Sequence, residues 1–312
     1  MAEALFRVLR AGPLTTVQDG GRLGYAHYGV TEGGPMDCVA HAIGQRVLGN
    51  SEDGSALEVD VQGLALDCLA GEVTIAVTGG DFAVKLGQQA ENGWIVATIR
   101  AGQCLDILPQ RWGNWCYVSF AGTIDAPQWL GSRSVNPAVA VSGIPLSAGD
   151  TIRVIVGAEA CIPFRRLPVP VFARPRPAIH VIPGPQERFF APQAFARFYG
   201  EAFAVSTQYN RMGIRLEGPT LPIAAALDMP SEGIVRGSVQ VDGSGTPAVL
   251  MADHQTTGGY PKIATVITTD QNRLAQLRPR QLFRFVPTTV ARAIGLLRLR
   301  RRILADYLAT LR

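Results

Sequence analysis

The chain has 312 residues, and a composition of 47% hydrophobic and 17% charged residues excludes an intrinsically disordered protein. The length suggests two domains of ordinary size. The net charge of +4 is too small to imply nucleic-acid binding by itself. With 34 Gly and 21 Pro, more than one residue in six interrupts regular helix, which favours many short strands and turns over a helical bundle.

The five cysteines are widely spaced and contain no C-x-x-C motif. We expect reduced thiols in a cytoplasmic protein, because neither a zinc site nor a disulfide framework fits this spacing. No apolar stretch approaches the roughly 18 residues of a membrane span, and the N-terminus lacks the apolar core of a signal peptide. The cysteines are Cys38, Cys68, Cys104, Cys116 and Cys161.

The first half of the chain predicts short strands and one helix. An alternating strand covers Leu5–Leu9, and a glycine-rich segment from Gly20 to Gly34 is too turn-rich for regular structure. Apolar residues then recur at helical spacing from Met36 to Leu48, which predicts a helix between Pro35 and Gly49. Further short strands are predicted at Val73–Val77, Phe82–Leu86, Ile95–Ile99, Cys104–Leu108, Cys116–Phe120 and Thr151–Val156. Strands this short and frequent indicate a closed barrel or a sandwich.

A proline-rich segment separates the two halves. Seven prolines lie between Ile162 and Gln186, which predicts a semi-rigid linker. We place the linker at residues 167–177, with the first domain at 1–166 and the second at 178–312.

The second half is also predicted to be rich in strands, with helices at Pro192–Tyr199 and Thr288–Arg312. The long last helix contains an arginine cluster at Arg298 and Arg300–Arg302. A solvated face is the simpler interpretation of this cluster, and binding to a membrane surface or an acidic partner remains open. The predicted strands are Ala178–Ile182, Ile214–Leu216, Ser238–Val241, Ala248–Met251, Thr265–Thr268 and Leu282–Val286.

A weak internal repeat relates the two halves. Gln18–Gly24 and Gln208–Gly213 each contain a glutamine followed by an Arg-apolar-Gly triplet, after a β-like segment. We interpret this match, together with the strand-rich pattern of both halves, as duplication of a barrel-like unit.

Three polar, glycine-bearing segments are candidates for chemistry: Thr15–Arg22 continuing to Gly33–Asp37, then Gln208–Gly213, then Met251–Lys262. Each sets a carboxylate, amide or hydroxyl beside Arg or Lys, and glycine lets backbone N–H groups approach an anion. Turn formation is the alternative role for any single residue. The sequence contains no phosphate-binding loop, nucleophile elbow or zinc-protease motif.

Several of these motifs together resemble a known family. It comprises the C subunit of ATP-hydrolysing 5-oxoprolinase and the biotin-dependent carboxyltransferase domains, also called allophanate hydrolase subunit 2, and includes the antagonist of the Kip-type kinase inhibitor. The matching segments span residues 15–267 and read TTVQDGGRLGY with GGPMD, ALEV, GTID with LGSRS, YNRMGIRLEG, and VLMADHQTTGGYPKIATVI.

The resemblance implies a mainly β chain of two tandem cyclophilin-like β-barrel domains, a few helices and a C-terminal helix. It also implies a complex with two further proteins, a second cyclophilin-like subunit that is Kip-inhibitor-like and a separate lactam-hydrolase-like subunit, and no nucleic-acid or membrane partner. The implied reaction opens 5-oxo-L-proline to L-glutamate with ATP and Mg. Two other functions remain open: the carboxyltransferase half of a urea-carboxylase-like system that uses biotin, and a regulatory protein that binds a kinase-inhibitor homologue.

Candidate roles follow from chemistry on the matched motifs. We expect Arg22, Arg211 and Lys262 to hold phosphate or a substrate carboxylate, with Lys262 also a catalytic candidate. Asp19 and Asp253 are candidates for general-base work or metal-phosphate coordination, as is Asp37, which could instead stabilise the first turn of its helix. Arg211 has a structural alternative, a buried ion pair that fixes a loop. Residues expected to bind substrate or orient an amide are Gln18, Asn210, Gln255, Thr256 and Thr257.

Overall fold

The chain divides into two compact units. The first consists of Met1–Arg22, Gly33–Arg174 and Ala305–Arg312, and the second of Leu23–Glu32 and Pro175–Leu304. Each unit therefore includes a segment from the other half of the chain, and the linker expected at 167–177 stays a prediction. The computed structural model describes residues 2–157, 162–225 and 229–311.

The first unit is built from antiparallel strands. Its strands are β1 (Glu3–Ala11), β2 (Thr16–Gln18), β3 (Ala56–Asp60), β4 (Leu64–Ala70), β5 (Glu72–Gly79), β6 (Phe82–Leu86), β7 (Gln89–Asn92), β8 (Ile95–Arg100), β9 (Cys104–Pro109), β10 (Trp115–Phe120), β11 (Gly122–Ile124), β12 (Thr151–Val156) and β13 (Arg165–Arg166). Their hydrogen bonds form a seven-stranded sheet in the order β11-β12-β1-β4-β9-β6-β7 and a six-stranded sheet in the order β13-β8-β5-β10-β3-β2.

Side-chain alternation explains these strands. In β1 the buried residues Ala4, Phe6 and Val8 alternate with more exposed neighbours, as expected for a strand with one face on the core. β10 is buried along its whole length and lies between β3 and β5 in the interior of its sheet.

One helix, α1 (Cys38–Val47), packs on the six-stranded sheet, in the place where the sequence predicts a helix. Asp37 caps its N-terminus by accepting a hydrogen bond from the Ala40 backbone N–H at 3.1 Å. Gly44 allows close packing, because a Cβ there would lie 2.8 Å from Ser119 Oγ and 2.9 Å from Thr78 Oγ1. The helix therefore lies directly on strands β5 and β10.

The second unit contains a closed seven-stranded barrel with the order β14-β21-β18-β19-β16-β15-β22, closed by the parallel pairing of β14 with β22. The strands are β14 (Ala178–Pro183), β15 (Phe203–Tyr209), β16 (Gly213–Glu217), β17 (Glu232–Gly233), β18 (Ser238–Val241), β19 (Pro247–Leu250), β20 (Thr257–Gly258), β21 (Lys262–Val266) and β22 (Leu282–Pro287). The helices are α2 (Pro192–Gly200), α3 (Thr268–Ala275) and α4 (Val290–Thr310), and α4 belongs to this unit as far as Leu304. The short strands β17 and β20 pair only with each other among the described residues.

The strand predicted at Thr265–Thr268 is only partly correct, because its last residue belongs to helix α3. β21 ends at Val266 and α3 begins at Thr268. The helix lacks an apolar stripe because its inner face holds Asp270 and Arg273, which form an ion pair at 3.1 Å. Asp270 also accepts a hydrogen bond from the His180 backbone N–H at 2.9 Å, so polar contacts replace the pattern that sequence analysis uses to identify a helix.

The mainly β class with a C-terminal helix is confirmed. No helix among the described residues is long and apolar enough to cross a membrane. Among the described residues no disulfide includes Cys38, Cys68, Cys104 or Cys116, and Cys161 lies outside these residues.

Four phenylalanines fill the core between α2 and the barrel. Phe198 of α2 stacks on Phe285 of β22 with ring centroids 4.4 Å apart, and Phe203 and Phe283 contact the same ring at 5.5 and 5.1 Å. All four side chains are buried. Aromatic pairs at these distances stabilise a core beyond simple burial.

We predict that Phe198→Ala lowers the free energy of unfolding by about 3–5 kcal/mol, because the large cavity cannot refill completely. Leu282→Ala is the matched control, since Leu282 lies on the same strand as Phe285 but is 65% exposed, and we expect a change within about 0.5 kcal/mol. Urea unfolding followed by circular dichroism measures both. Equal stabilities of the two variants would contradict this description of the core.

Candidate functional site

The first polar cluster consists of Asp19, Arg22, Ser132, Arg133 and Ser134, all in the first unit. Asp19 follows β2 and is 6% exposed. Its Oδ1 accepts hydrogen bonds from Gly21 N–H at 3.0 Å, Ser132 Oγ at 2.5 Å and Ser134 Oγ at 2.7 Å. Its Oδ2 accepts one from Arg133 N–H at 2.5 Å. Both carboxylate oxygens therefore connect the loop after β2 with residues 132–134.

Arg22 is also directed inward. Its guanidinium donates to the Ser134 carbonyl and, at 2.6 Å, to Ser142 Oγ. It lies 5.5 Å from the centre of the Trp129 ring, within the range of a cation–π contact. The buried side chain thus holds residues 129–142 against the loop after β2, and its predicted role in binding phosphate stays a prediction.

Gln18 and Asp37 take up separate positions in the same unit. The buried Gln18 amide donates to Thr16 Oγ1 and to the Val135 carbonyl, both at 2.8 Å. Its Oε1 is buried and has no hydrogen-bond partner among the described residues. Asp37 caps α1, as the structural alternative in the sequence analysis allows.

Glu58 and Tyr117, which the sequence analysis did not assign, hold the GGPMD segment in place. Tyr117 Oη donates to Glu58 Oε2 at 2.8 Å and accepts from Asp37 N–H at 2.7 Å. Glu58 Oε2 also accepts from Met36 N–H at 2.7 Å. Burial, together with the Glu58 charge, raises the pKa of Tyr117 well above its usual value, so its hydroxyl keeps its proton. The sequence carries one signal for this role: Glu58 is a charged residue inside the otherwise apolar segment ALEV.

His41 on α1 lies beside Tyr117, with ring centroids 5.7 Å apart in an edge-to-face arrangement. The side chain is buried, and its Nε2 has no hydrogen-bond partner in the part of the chain that the structure describes. Burial lowers the pKa of His41 from 6.5 to about 4, against smaller opposing effects from the Gly54 backbone and the Asp19 and Asp53 charges. The imidazole is therefore neutral at pH 7.

In the second unit, Arg211 and Asp253 form a buried bidentate ion pair. Arg211 Nε contacts Asp253 Oδ2 at 2.8 Å and Nη2 contacts Oδ1 at 2.9 Å. The backbones are also linked, since Asp253 N–H donates to the Arg211 carbonyl at 2.8 Å. Asn210 Oδ1 accepts from Met212 N–H at 2.9 Å and closes the turn before β16. This geometry matches the structural alternative for Arg211.

Lys262 at the start of β21 is likewise paired. Its ammonium contacts Glu232 of β17, and the hydrogen bond from Lys262 lowers the pKa of that carboxyl below its usual value. The Gln186 amide also donates to Glu232, while Gln186 Oε1 accepts from Lys262 N–H at 2.8 Å. Sequence analysis missed Glu232 and Gln186, because both lie far from Lys262 in the chain.

The remaining predicted residues lie in the segment after β19. The Gln255 carbonyl accepts from His254 Nδ1 at 2.6 Å, and the Thr256 carbonyl accepts from Ile234 N–H at 3.1 Å. The side chains of Gln255 and Thr256 are half-buried, and that of Thr257 on β20 is exposed. The eleven predicted residues therefore divide between the units, and their catalytic and binding roles stay predictions. No group of three or more metal-ligating side chains occurs among the residues described.

Comparison with known proteins identifies the family. Residues 28–287 match the family described as carboxyltransferase domain, subdomain A and B, and the chain belongs to this family. It is 32% identical over 294 residues to the C subunit of 5-oxoprolinase from Escherichia coli, covering 93% of both chains.

Solved structures agree with this assignment. The Kluyveromyces lactis urea carboxylase superimposes on 98% of this chain with a TM-score of 0.86 and 26% identity, and the match covers 29% of that protein. The protein TTHA0988 superimposes on 91% of this chain with a TM-score of 0.81 and 30% identity, over 55% of its own length. The names 5-oxoprolinase and urea carboxylase thus describe different reactions on one domain type.

We predict that Arg211→Ala lowers the free energy of unfolding by about 3–5 kcal/mol, because it leaves the buried Asp253 carboxylate without its partner. Arg215→Ala is the control: Arg215 pairs with Asp242 at 2.9 Å on the surface, and we expect a loss of at most about 1 kcal/mol. Urea titration of both variants provides the test. An Arg211 variant as stable as the Arg215 variant would contradict a structural ion pair.

We predict that His41 makes stability depend on pH. Because the pKa of His41 is about 4 in the folded chain and 6.5 unperturbed, the unfolded chain binds the extra proton first as pH falls. This stability is thus fully present above the unperturbed pKa, and about 2 kcal/mol is lost between pH 7 and about 4.5. His41→Gln should remove this part of the pH dependence, as measured by urea unfolding at the two pH values. If the free energy of unfolding changes equally with pH in wild type and in His41→Gln, the predicted contribution of His41 is wrong.

Proposed function

We propose that this chain is a subunit of a heteromeric ATP-dependent 5-oxoprolinase, which opens 5-oxo-L-proline to L-glutamate. The observation that supports it most is the 32% identity to the C subunit of a 5-oxoprolinase over 93% of both chains. We also propose a cytoplasmic location, because five widely spaced cysteines without a C-x-x-C motif fit reduced thiols.

The reaction needs an activated lactam. An unstrained amide carbonyl resists attack by water, and ATP would supply a phosphoryl group that makes the carbonyl oxygen a leaving group. The described residues do not by themselves fit a nucleotide site, because two of the cations predicted to hold phosphate are neutralised: Arg211 by Asp253 and Lys262 by Glu232. We therefore propose that the nucleotide site depends on the partner subunits, one cyclophilin-like and one lactam-hydrolase-like.

A second candidate is the carboxyltransferase half of a biotin-dependent system. Its support is the family description and the TM-score of 0.86 to a urea carboxylase. Such a chain would receive a carboxyl group from carboxybiotin on another protein or domain. The two candidates differ in substrate and in biotin dependence, so one assay separates them.

We predict that the purified chain alone is inactive and that mixing it with both partner subunits produces ADP and glutamate in equal amounts, only when 5-oxo-L-proline is present. Coupled assays for ADP and for glutamate measure this, with the omission of each protein in turn as a control. No turnover is expected when urea replaces 5-oxo-L-proline, and avidin added to sequester biotin should leave the oxoproline reaction unchanged.

Two results would contradict the proposal. Oxoproline-dependent ATP hydrolysis by the chain alone would remove the need for partners. Turnover of urea that avidin abolishes would establish the carboxyltransferase alternative.

A further inference from the structure

Arg133 differs from the other buried or half-buried cations among the described residues. It belongs to the LGSRS segment at residues 130–134 and is half-buried. Its Nε is buried without a hydrogen-bond partner, and within the described residues its guanidinium makes neither a hydrogen bond nor an ion pair. A buried Nε–H without a hydrogen-bond partner is unfavourable, and such exceptions need a physical reason.

The other buried and half-buried cations show that the absence of a partner for Arg133 is exceptional among the described residues. Every other buried or half-buried Arg or Lys of the described residues has a partner. The partners include Asp253 for Arg211, Glu232 for Lys262, Asp270 for Arg273, Ser134 and Ser142 for Arg22, and the Leu311 and Val47 carbonyls for Arg165. Arg153 on β12 is exposed, so water solvates its charge.

The backbone that presents Arg133 is held firmly. Asp19 accepts the Arg133 N–H at 2.5 Å and also the hydroxyls of both neighbours, Ser132 and Ser134. Just before it, Leu130 and Gly131 adopt positive φ of 49° and 80°, a tight turn that fixes the direction of the chain. The side chain therefore starts from a preorganised position, which lowers the entropy lost when a ligand binds.

We propose that Arg133 binds an oxyanion group of a ligand, a carboxylate or a phosphate. The planar guanidinium presents parallel N–H donors that match two oxygens of such a group. The identity of the ligand rests on the proposed function: the carboxylate of 5-oxo-L-proline or a phosphate of the nucleotide. Asp19, Ser132 and Ser134 then act as positioning residues that hold the binding arginine.

Calorimetric titration of the full chain tests this, with inorganic phosphate, 5-oxo-L-proline and 2-pyrrolidinone as probes at constant ionic strength. 2-Pyrrolidinone has the lactam ring without the carboxylate. Arg133→Ala should weaken binding of at least one anion by about 10- to 100-fold, the effect of one lost charge-assisted contact. Arg133→Lys should weaken it less, and the surface control Arg153→Ala should bind as wild type. Melting temperatures of all three variants should match wild type, because no partner is removed.

The pattern of losses identifies the source of the oxyanion. Weaker 5-oxo-L-proline binding with unchanged 2-pyrrolidinone binding identifies the carboxylate, and weaker phosphate binding identifies the nucleotide. The proposal is overturned if the wild-type chain binds neither anion, or if Arg133→Ala binds both as tightly as wild type. If the wild-type complex is active and the Arg133→Ala chain binds both anions normally, the proposed function stands and the role of Arg133 fails. If instead the wild-type complex is inactive but anion binding depends on Arg133, the proposed function fails and the binding role of Arg133 stands.

Discussion

Hydrogen bonds to the Asp19 carboxylate determine the arrangement of the first polar cluster. Two serine hydroxyls and two backbone N–H groups contact its oxygens at 2.5–3.0 Å. A buried carboxylate is tolerated only when its oxygens are satisfied, so the loop after β2 and residues 132–134 must be positioned together. Arg22 depends on the same arrangement, because its acceptors are Ser134 and Ser142.

The second unit satisfies buried charge differently, by direct ion pairing. Arg211 pairs with Asp253 through two contacts, whereas the hydrogen bonds from Arg22 to Ser134 and Ser142 reach uncharged oxygens. The preceding turns are nevertheless alike: Asp19 Oδ1 accepts the Gly21 N–H and Asn210 Oδ1 accepts the Met212 N–H, each two residues further on. Both are Asx turns directly after a strand. They do not occupy equivalent positions in the weak repeat, because Asp19 lies three residues before Arg22 and Asn210 one residue before Arg211, so duplication stays a prediction.

The sequence predicts many of the strands but misses others, such as β4 and β15, and it predicts the candidate site only in part. Alternation or continuous apolarity identifies strands such as Phe82–Leu86 with the bounds that the structure has, since burial selects those patterns. Helix α3 lacks that signal because two charged residues, Asp270 and Arg273, form an ion pair on its buried face. The motifs identify Asp19, Arg211, Asp253 and Lys262 as candidates, but they do not show which residues pair. The contacts of Asp19 with Ser132, Arg211 with Asp253 and Lys262 with Glu232 form only through long-range folding.

The distribution of charge bears on what this chain contributes to a multisubunit enzyme. Cleavage of an amide develops negative charge, and stabilising that charge requires donors that are not already neutralised. In the described residues Arg211 and Lys262 each face a carboxylate, so their net electrostatic effect on a ligand is small. Their geometry instead fixes the turn before β16 and the start of β21. On the proposed function, therefore, the donors for ATP chemistry come mainly from partner subunits, and a preorganised cation without a carboxylate partner, such as Arg133, is where this chain adds positive charge.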